Sequence, residues 1–294
     1  MRSNFKVSIA AMPIEQYRTV DDFAAHVDRY AAEASTRGSD VLLLPELTAI
    51  GLLWGEPDVE TIANAEIGAF YRRGLMKRLA SYRQALLDVA KSRGVWLAGA
   101  TYWHEREGRG ANTGFVVSPS GQLEELDKVH PTRPEQVIGT IGGTTVKAYD
   151  MSGIKVGVLI CYDVQFPELS RALLKQGIEV LLVPSLTSAR GYWRVRYAAH
   201  SRAQENQIYV CVSPLIGMLN IPIDHPSICA GHSYVTCPVD DKFNIENGLF
   251  AESRMNEEAL LHSVLDLDLL RLSRSKGEIR NVLDRRPDIY SILE

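Results

Sequence analysis

The sequence lacks several features that would assign a protein to a class at once. It has no apolar run long enough to span a membrane, and the first stretch, MRSNFKVSIAAMP, has too short an apolar segment for a signal peptide. It has four cysteines in 294 residues, too few for a disulfide framework. These absences favour a protein of a reducing cytoplasm that does not act at a membrane.

An excess of positive charge is missing as well. The formal net charge is −4 and the pI is near 6.0, so the basic surface that nucleic-acid binding requires is not expected. We find no repeat, no low-complexity tract and no linker rich in Pro, Gly or Ser. The sequence therefore predicts a single domain over residues 1–294, with a core of ordinary size because 46% of the residues are hydrophobic.

Strand and helix signals alternate along the chain. A capping-box pattern at Thr19–Asp22 predicts the start of the first helix, and further helices are predicted over 68–92, 167–176 and 191–206, and from Leu267. The predicted strands are 5–12, 41–46, 95–103, 112–119, 121–128, 154–161, 178–185, 208–214, 231–237 and 260–266. Such alternation indicates an α/β protein in which helices cover sheet structure on both faces.

Polar side chains follow three of the apolar strands. Glu46 comes after VLLLP, Cys161 after VGVLI and Ser185 after VLLVP. Each local pattern alone has an ordinary interpretation, since a cysteine at a strand end is usually a small buried hydrophobe and a glutamate often caps a helix. Open α/β sheets, however, place their sites at the carboxyl ends of strands, so a site is predicted there.

Three segments together resemble the signatures of one family. LLLPELTAIG with Glu46, ELDKVHPTRPE with Lys128 and LICYDVQFPELSRAL with Cys161 are similar, in order and spacing, to the nitrilase superfamily of carbon–nitrogen hydrolases. GYWRVRYAAHSRAQENQIYV (191–210) is similar to the helix and strand that follow the nucleophile in bacterial amidase-like members. The resemblance implies a four-layer α-β-β-α sandwich and a cysteine nucleophile that needs no cofactor or metal.

The chemistry of these residue types agrees with that interpretation. A thiol with a pKa of about 8.5 needs a base at neutral pH, and Glu46 is the candidate general base for Cys161. The oxyanion formed at an amide carbonyl needs positioned donors, and the candidates are the Lys128 ammonium and the Tyr162 N–H. The resemblance further implies a second glutamate near the lysine; Glu135 matches its spacing, and Glu168 is the rival carboxylate.

The substrate is expected to be a small amide bound by side chains close to the nucleophile. Candidate binding residues are Tyr162, the loop from Ser185 to Arg190, and Trp193. The pair Tyr162-Asp163 favours an amide, because nitrilases typically have Trp-Glu at this point. A nitrilase or an N-carbamoyl hydrolase are the alternatives within the family.

Two other classes of function are alternatives to hydrolysis. A silent binding subunit on the same fold would have no chemical reason to keep Glu46, Lys128 and Cys161 together. Redox sensing by Cys161 would need a resolving thiol, and the sequence leaves Cys211, Cys229 and Cys237 open for that role. The pattern formed by His225, Cys229, His232 and Cys237 fits no standard zinc spacing.

The end of the chain is too apolar for a free tail. The stretch NVLDRRPDIYSILE carries aliphatic and aromatic residues among its charges. Because members of the resembled family pair through helices near the nucleophile, the segment 276–294 is predicted to be an arm that packs on a partner subunit of a homodimer or larger homo-oligomer.

Overall fold

The computed structural model describes residues 2–62, 66–218 and 229–290. The strands are β1 (Asn4–Pro13), β2 (Val41–Leu43), β3 (Trp96–Arg106), β4 (Arg109–Val117), β5 (Leu123–Asp127), β6 (Ala148–Met151), β7 (Ile154–Val158), β8 (Val180–Leu186), β9 (Tyr209–Ile216), β10 (Tyr234–Thr236), β11 (Leu249–Glu252) and β12 (Ala259–Asp266). The α-helices are α1 (Val20–Thr36), α2 (Ile67–Met76), α3 (Leu79–Arg93), α4 (Arg133–Val137), α5 (Pro167–Leu174), α6 (Ala189–Asn206), α7 (Leu267–Lys276) and α8 (Pro287–Tyr290). Thr48–Gly55 and Cys161–Gln165 form 3₁₀ helices.

The strands form two halves that meet at β1. On one side of β1 the order is β2, β3, β4 and β5, and on the other side it is β9, β8, β7 and β6. The strands next to β1 on both sides run parallel to it, whereas β12 pairs antiparallel with its first residues. The hairpins β3–β4, β4–β5 and β6–β7 close the outer edges with antiparallel pairs.

Hydrophobic side chains pack in three separate interfaces, and these define four layers. Alternate residues of one strand point to different interfaces, as strand geometry requires: Val41 and Leu43 lie between the two sheets, while Leu42 faces α1 and α3. In β8, Val180 and Leu182 likewise lie between the sheets, and Leu181 and Val183 face α5 and α6. Strands buried on both faces read as continuous apolar runs, which explains their strong sequence signal. The predicted α-β-β-α sandwich is confirmed.

The element predictions hold with shifts at their ends and one clear error. The Thr19–Asp22 capping box is present at the start of α1. The helix predicted over 68–92 is wrong as a single element, because α2 ends at Met76 and α3 begins at Leu79. The break lies at two cations that bind a buried carboxylate: Lys77 Nζ and Arg78 Nη1 lie 2.7 and 2.5 Å from Glu56 Oε1. A buried carboxylate needs such partners, and the helical pattern of residues 68–92 gives no sign of it.

The described ranges contain no helix that is long and apolar enough to cross a membrane. All four cysteines are free and buried.

Candidate active site

At the site, a hydrogen bond links the ends of two strands, one from each sheet. Glu46 follows β2, and Leu186 ends β8. The Leu186 N–H donates a hydrogen bond to Glu46 Oε2 at 3.0 Å, and the Leu186 carbonyl accepts one from Cys161 Sγ at 3.6 Å. The main chain of one residue therefore holds the carboxylate and the thiol side by side.

Cys161 occupies a backbone conformation that is unusual for its residue type. It follows β7 at the start of a 3₁₀ helix and has a φ of +49°, in the left-handed region. Residues with a side chain are strained in this conformation, and such strain is concentrated at functional sites. Ser185 Oγ donates a hydrogen bond to the Cys161 Sγ at 3.5 Å, so the serine contacts the thiol as its sequence position predicted.

Lys128 lies between two glutamates in the protein interior. Its Nζ is 2.7 Å from Glu46 Oε1 and 2.7 Å from Glu135 Oε2. All three side chains are buried, and the charges are tolerated there because each carboxylate is paired with the ammonium. An ammonium has three hydrogens, so these two bonds leave one for a further acceptor.

Glu135 belongs to this cluster through its place at the start of a helix. It is the third residue of α4, and its Oε2 accepts hydrogen bonds from the N–H and the Oγ1 of Thr132, each at 2.7 Å. This capping box fixes the carboxylate against Lys128. The rival Glu168 is exposed in the first turn of α5, so the structure brings Glu135 and not Glu168 to the lysine.

Asn112 is a member of the cluster that sequence reasoning missed. Its Nδ2 donates hydrogen bonds to Glu46 Oε1 at 2.9 Å and to Glu135 Oε1 at 2.8 Å. The main-chain carbonyl of Asn112 also accepts a hydrogen bond from the main-chain N–H of Lys128 at 2.8 Å. A single asparagine of β4 thus orients both carboxylates and the backbone of the lysine between them.

Asp163 is a second residue that sequence reasoning missed. Its carboxylate accepts hydrogen bonds from the backbone N–H groups of Val129 and His130, at 3.0 and 2.8 Å, and lies 3.0 Å from His130 Nδ1. Asp163 is two residues after Cys161, and Val129 directly follows Lys128. The buried aspartate therefore ties the turn of the cysteine to the segment that carries the lysine.

Burial and mutual charge raise the pKa values of Glu46, Cys161 and Lys128. Burial raises the pKa of the Glu46 carboxyl, although Lys128 acts to lower it. Burial and the charge of Glu46 likewise raise the pKa of the Cys161 thiol. Burial opposes ionisation of Lys128, but the charges of Glu46, Cys161 and Glu135 prevail and raise the pKa of its ammonium. These directions favour a neutral Cys161 thiol and a cationic Lys128 in the ground state.

The cluster opens into a cavity of about 1120 Å³. Glu46, Lys128, Glu135, Cys161 and Tyr162 lie in its wall. Its remaining polar and charged lining comes from Thr132, Arg133, Gln136, Gln165, Thr187, Ser188 and Arg194, and its apolar and aromatic lining includes Ile14, Leu47, Ile50, Tyr71, Trp103, Ile138, Leu186 and Val195. A cavity of this size accommodates a small organic substrate.

The structure does not place three of the predicted binding residues, Ser185, Arg190 and Trp193, in this wall. Ser185 is buried and contacts Cys161 instead. Arg190 is exposed and Trp193 is 50% exposed, and neither lines the cavity, whereas Gly191, Arg194 and Val195 do. For Trp193 the reason is helical phase, because residues three and four apart share one face and Trp193 is only two positions from Gly191. Trp193 instead packs on Tyr197, with ring centroids 5.8 Å apart.

A metal site is not found among residues 2–62, 66–218 and 229–290, where no group of three or more His, Cys, Asp or Glu side chains has suitable geometry. His225, part of the histidine–cysteine pattern, lies outside the described residues. His232 of that pattern contacts Glu252 and Tyr192, and Cys237 lies in the core between the sheets.

Comparison with known proteins assigns the family. A model of the carbon–nitrogen hydrolase family matches residues 6–239. The chain is 31% identical to the probable hydrolase YhcX of Bacillus subtilis over 297 residues, which cover 99% of this chain and 56% of that protein, so the chain spans little more than half of that relative. It is 27% identical to the omega-amidase of Homo sapiens over 305 residues, covering 99% of this chain and 98% of that enzyme.

A solved structure shows the same fold. An amidase variant from Nesterenkonia, of the nitrilase superfamily, superposes with a TM-score of 0.76 at 21% identity, covering 99% of this chain and 98% of that one. The chain therefore belongs to the carbon–nitrogen hydrolases of the nitrilase superfamily, enzymes that act on non-peptide C–N bonds.

Proposed function

We propose that the chain is an amidase that hydrolyses a small primary amide through a thioester on Cys161. The observation that carries this proposal is the hydrogen-bonded arrangement of Cys161, Glu46 and Lys128 at the wall of one cavity. The amidases among the similar proteins agree with it, and one relative is named for an ω-amide substrate class.

In the acylation step, Glu46 takes the thiol proton as sulfur bonds to the amide carbon, and the carbonyl electron pair moves onto oxygen. The carbonyl then re-forms, the C–N bond breaks, and the nitrogen leaves as ammonia with the proton returned by Glu46. A neutral thiol suits this sequence, because the proton moves during attack and not before it. The raised pKa of the Glu46 carboxyl makes it a stronger base than an exposed glutamate.

The oxyanion formed on attack needs donors that are already in place. The third hydrogen of the Lys128 ammonium is one, because Glu46 and Glu135 engage the other two. The Tyr162 N–H is the second, as it follows the nucleophile directly at a turn. Two donors fixed by a buried network need no reorganisation when the charge develops.

The thioester is hydrolysed by the same carboxylate. Glu46 accepts a proton from water as the water oxygen attacks the thioester carbon, and the expelled thiolate takes that proton back. The carboxylic acid leaves and the thiol is restored, so one glutamate serves both halves of the cycle. Glu135 and Asn112 do not exchange protons in this scheme; they hold Lys128 and Glu46 in position.

The experiment that tests the proposal is ammonia release from a panel of primary amides, N-carbamoyl compounds and nitriles. Turnover of primary amides, with a carboxylic acid as co-product, is expected. Release of ammonia from N-carbamoyl compounds alone would favour the second candidate, which the similarity to N-carbamoylputrescine amidase of Arabidopsis thaliana supports at 27% identity over 299 residues.

Amides are expected to react at least ~100-fold faster than nitriles of the same skeleton, a difference of about 2.7 kcal/mol in barrier. The reason is the position of the polar atom. Donors placed beside the nucleophile are within reach of an amide carbonyl oxygen, whereas the nitrogen of a linear nitrile lies on the axis of the C–C≡N group and points away from them. The measurement is kcat/KM for matched pairs of amide and nitrile. Equal values within a pair would contradict the preference for amides and leave the role of Cys161 untouched.

We also propose that the chain forms a homodimer through its arm, residues 276–294, of which 291–294 lie outside the described residues. Supporting this, Leu283, Ile289 and Tyr290 are 60%, 43% and 40% exposed in the single chain. Apolar side chains grouped on a surface mark contact sites. Sedimentation at micromolar concentration is expected to give a dimer, and a Leu283→Asp variant is expected to shift it toward monomer. A clean monomer with activity intact would exclude the interface.

A further inference from the structure

One polar side chain reaches the nucleophile from outside the cavity. Ser185 lies near the end of β8, is 3% exposed, and is not part of the cavity wall that holds Glu46, Lys128 and Cys161. Its Oγ nevertheless donates a hydrogen bond to Cys161 Sγ at 3.5 Å. Ser185 therefore contacts the reacting sulfur on a side that does not face the substrate.

The Ser185 hydroxyl is used for this contact alone. Among residues 2–62, 66–218 and 229–290 its Oγ makes no other hydrogen bond. A hydroxyl has one hydrogen to donate, and a buried hydroxyl needs a partner for it. The Cys161 thiol directs its own hydrogen to the Leu186 carbonyl at 3.6 Å, which leaves the sulfur as the acceptor for Ser185.

The strength of this hydrogen bond depends on the charge of the sulfur, which changes during the reaction. In the thiol and in the thioester the sulfur is a neutral, weak acceptor, whereas in the thiolate it is an anion. Hydrogen bonds to a charged partner are about twice as strong as those between neutral groups. A donor that is fixed on the sulfur therefore stabilises the thiolate more than the thiol or the thioester.

We propose that Ser185 is a further catalytic group, which stabilises the Cys161 thiolate and does not bind the substrate. The step is the breakdown of the thioester after water has added to it. The carbonyl re-forms, the C–S bond breaks and its electron pair moves onto sulfur. Ser185 donates a hydrogen bond to this thiolate and keeps its own proton, while Glu46 returns the proton of the water to sulfur. The inference rests on the proposed amidase function and adds the group that assists the departure of sulfur.

Replacing Ser185 by alanine is expected to lower kcat about 10-fold, the low end for a hydrogen bond to a charged group. The acyl-enzyme on Cys161 is expected to accumulate, because its breakdown is slowed, and mass spectrometry during turnover measures that fraction. Ratios of kcat/KM between different amides are expected to stay as in the original protein, since Ser185 does not line the cavity. Ser185→Thr keeps the hydroxyl and is expected to restore most of kcat.

Alkylation by iodoacetamide tests the contact with sulfur without any substrate. The charged groups that act on the thiol, Glu46 and Lys128, are the same in the alanine variant and in the original protein. Loss of the hydrogen bond should raise the pKa of the thiol, and a rise of about one unit lowers the thiolate fraction about tenfold. A more basic thiolate is more nucleophilic, which recovers about half of that loss on a logarithmic scale. The rate at Cys161 is therefore expected to fall about threefold, while the rate at Cys229, in the same cavity wall, stays unchanged.

Ser213→Ala is the matched control. Ser213 is a buried serine of the neighbouring strand β9, but its Oγ donates a hydrogen bond to the Ala10 carbonyl at 2.5 Å. Its substitution is expected to lower the thermal midpoint and to leave kcat and the alkylation of Cys161 unchanged.

Two results would overturn the role of Ser185. One is a Ser185→Ala variant with the kcat and the alkylation rate of the original protein. The other is a changed preference among amides with an unchanged alkylation rate, which would make Ser185 a substrate contact. If the original protein hydrolysed no amide, the amidase proposal would fail, and the alkylation rates would then decide whether Ser185 acts on the sulfur.

Discussion

Replacing Cys161 by alanine is expected to lower amide turnover by at least about 10⁴-fold, the scale seen when a covalent nucleophile is removed. Glu46 and Lys128 would remain in place, but neither can form the thioester that divides the reaction into two steps. Water activated by Glu46 would have to attack the amide directly, with a poorer nucleophile than sulfur. The measurement is ammonia release under saturating substrate, at an enzyme concentration that detects such a residual rate.

Two controls make this result specific. The thermal midpoint of the alanine variant is expected to stay close to that of the original protein, because the Cys161 thiol makes long hydrogen bonds of 3.5 and 3.6 Å. Mass spectrometry of the original protein during turnover should place an acyl adduct on the peptide of Cys161 and not on those of Cys211, Cys229 or Cys237. Cys229 is the stringent comparison, since it also lies in the cavity wall. An active alanine variant would contradict the covalent mechanism.

The parts of the site that sequence could predict are those tied to strand ends. Glu46 and Cys161 each follow an apolar run that is buried on both faces, so their position at the edge of a sheet follows from local pattern alone. Glu135 was also predictable, because its spacing from Thr132 is that of a capping box and the family segment places it near the lysine.

The parts that sequence could not predict depend on contacts between distant segments. Asn112 is 66 residues from Glu46, and nothing in the strand NTGFVVSP distinguishes a buried orienting amide from an exposed one. Arg194 was not predicted as a cavity residue, because neither the start of α6 nor the face that it turns to the site follows from local sequence. The sequence pattern put that start at 191, and the Ser188 cap moves it to Ala189.

The network also explains how one carboxylate can act as a base deep in the protein. Burial favours the protonated form of Glu46, and Lys128 opposes that effect by its charge at 2.7 Å. Glu135 in turn neutralises Lys128, and its pKa is lowered: burial opposes ionisation, but Lys128 and the hydrogen bonds from Lys128, Asn112 and Thr132 prevail. Glu46 therefore combines a raised pKa, which makes its carboxylate more basic, with a cation that stabilises that carboxylate, as a general base requires.

Replacing Glu46 by glutamine is expected to lower kcat/KM by about 10²- to 10⁴-fold, the usual contribution of general-base catalysis. Because burial raises the pKa of Glu46, the original protein should lose activity on the acid side at a pH above the ordinary glutamate value of about 4.3. Glutamine has no such titration, so this acid limb should vanish. The residual rate should instead climb about tenfold per pH unit, as the thiolate of Cys161 forms without a base. The measurement is the pH profile of kcat/KM for both proteins, with circular dichroism to confirm the fold. A variant that keeps the acid limb of the original protein would show that another group is the base.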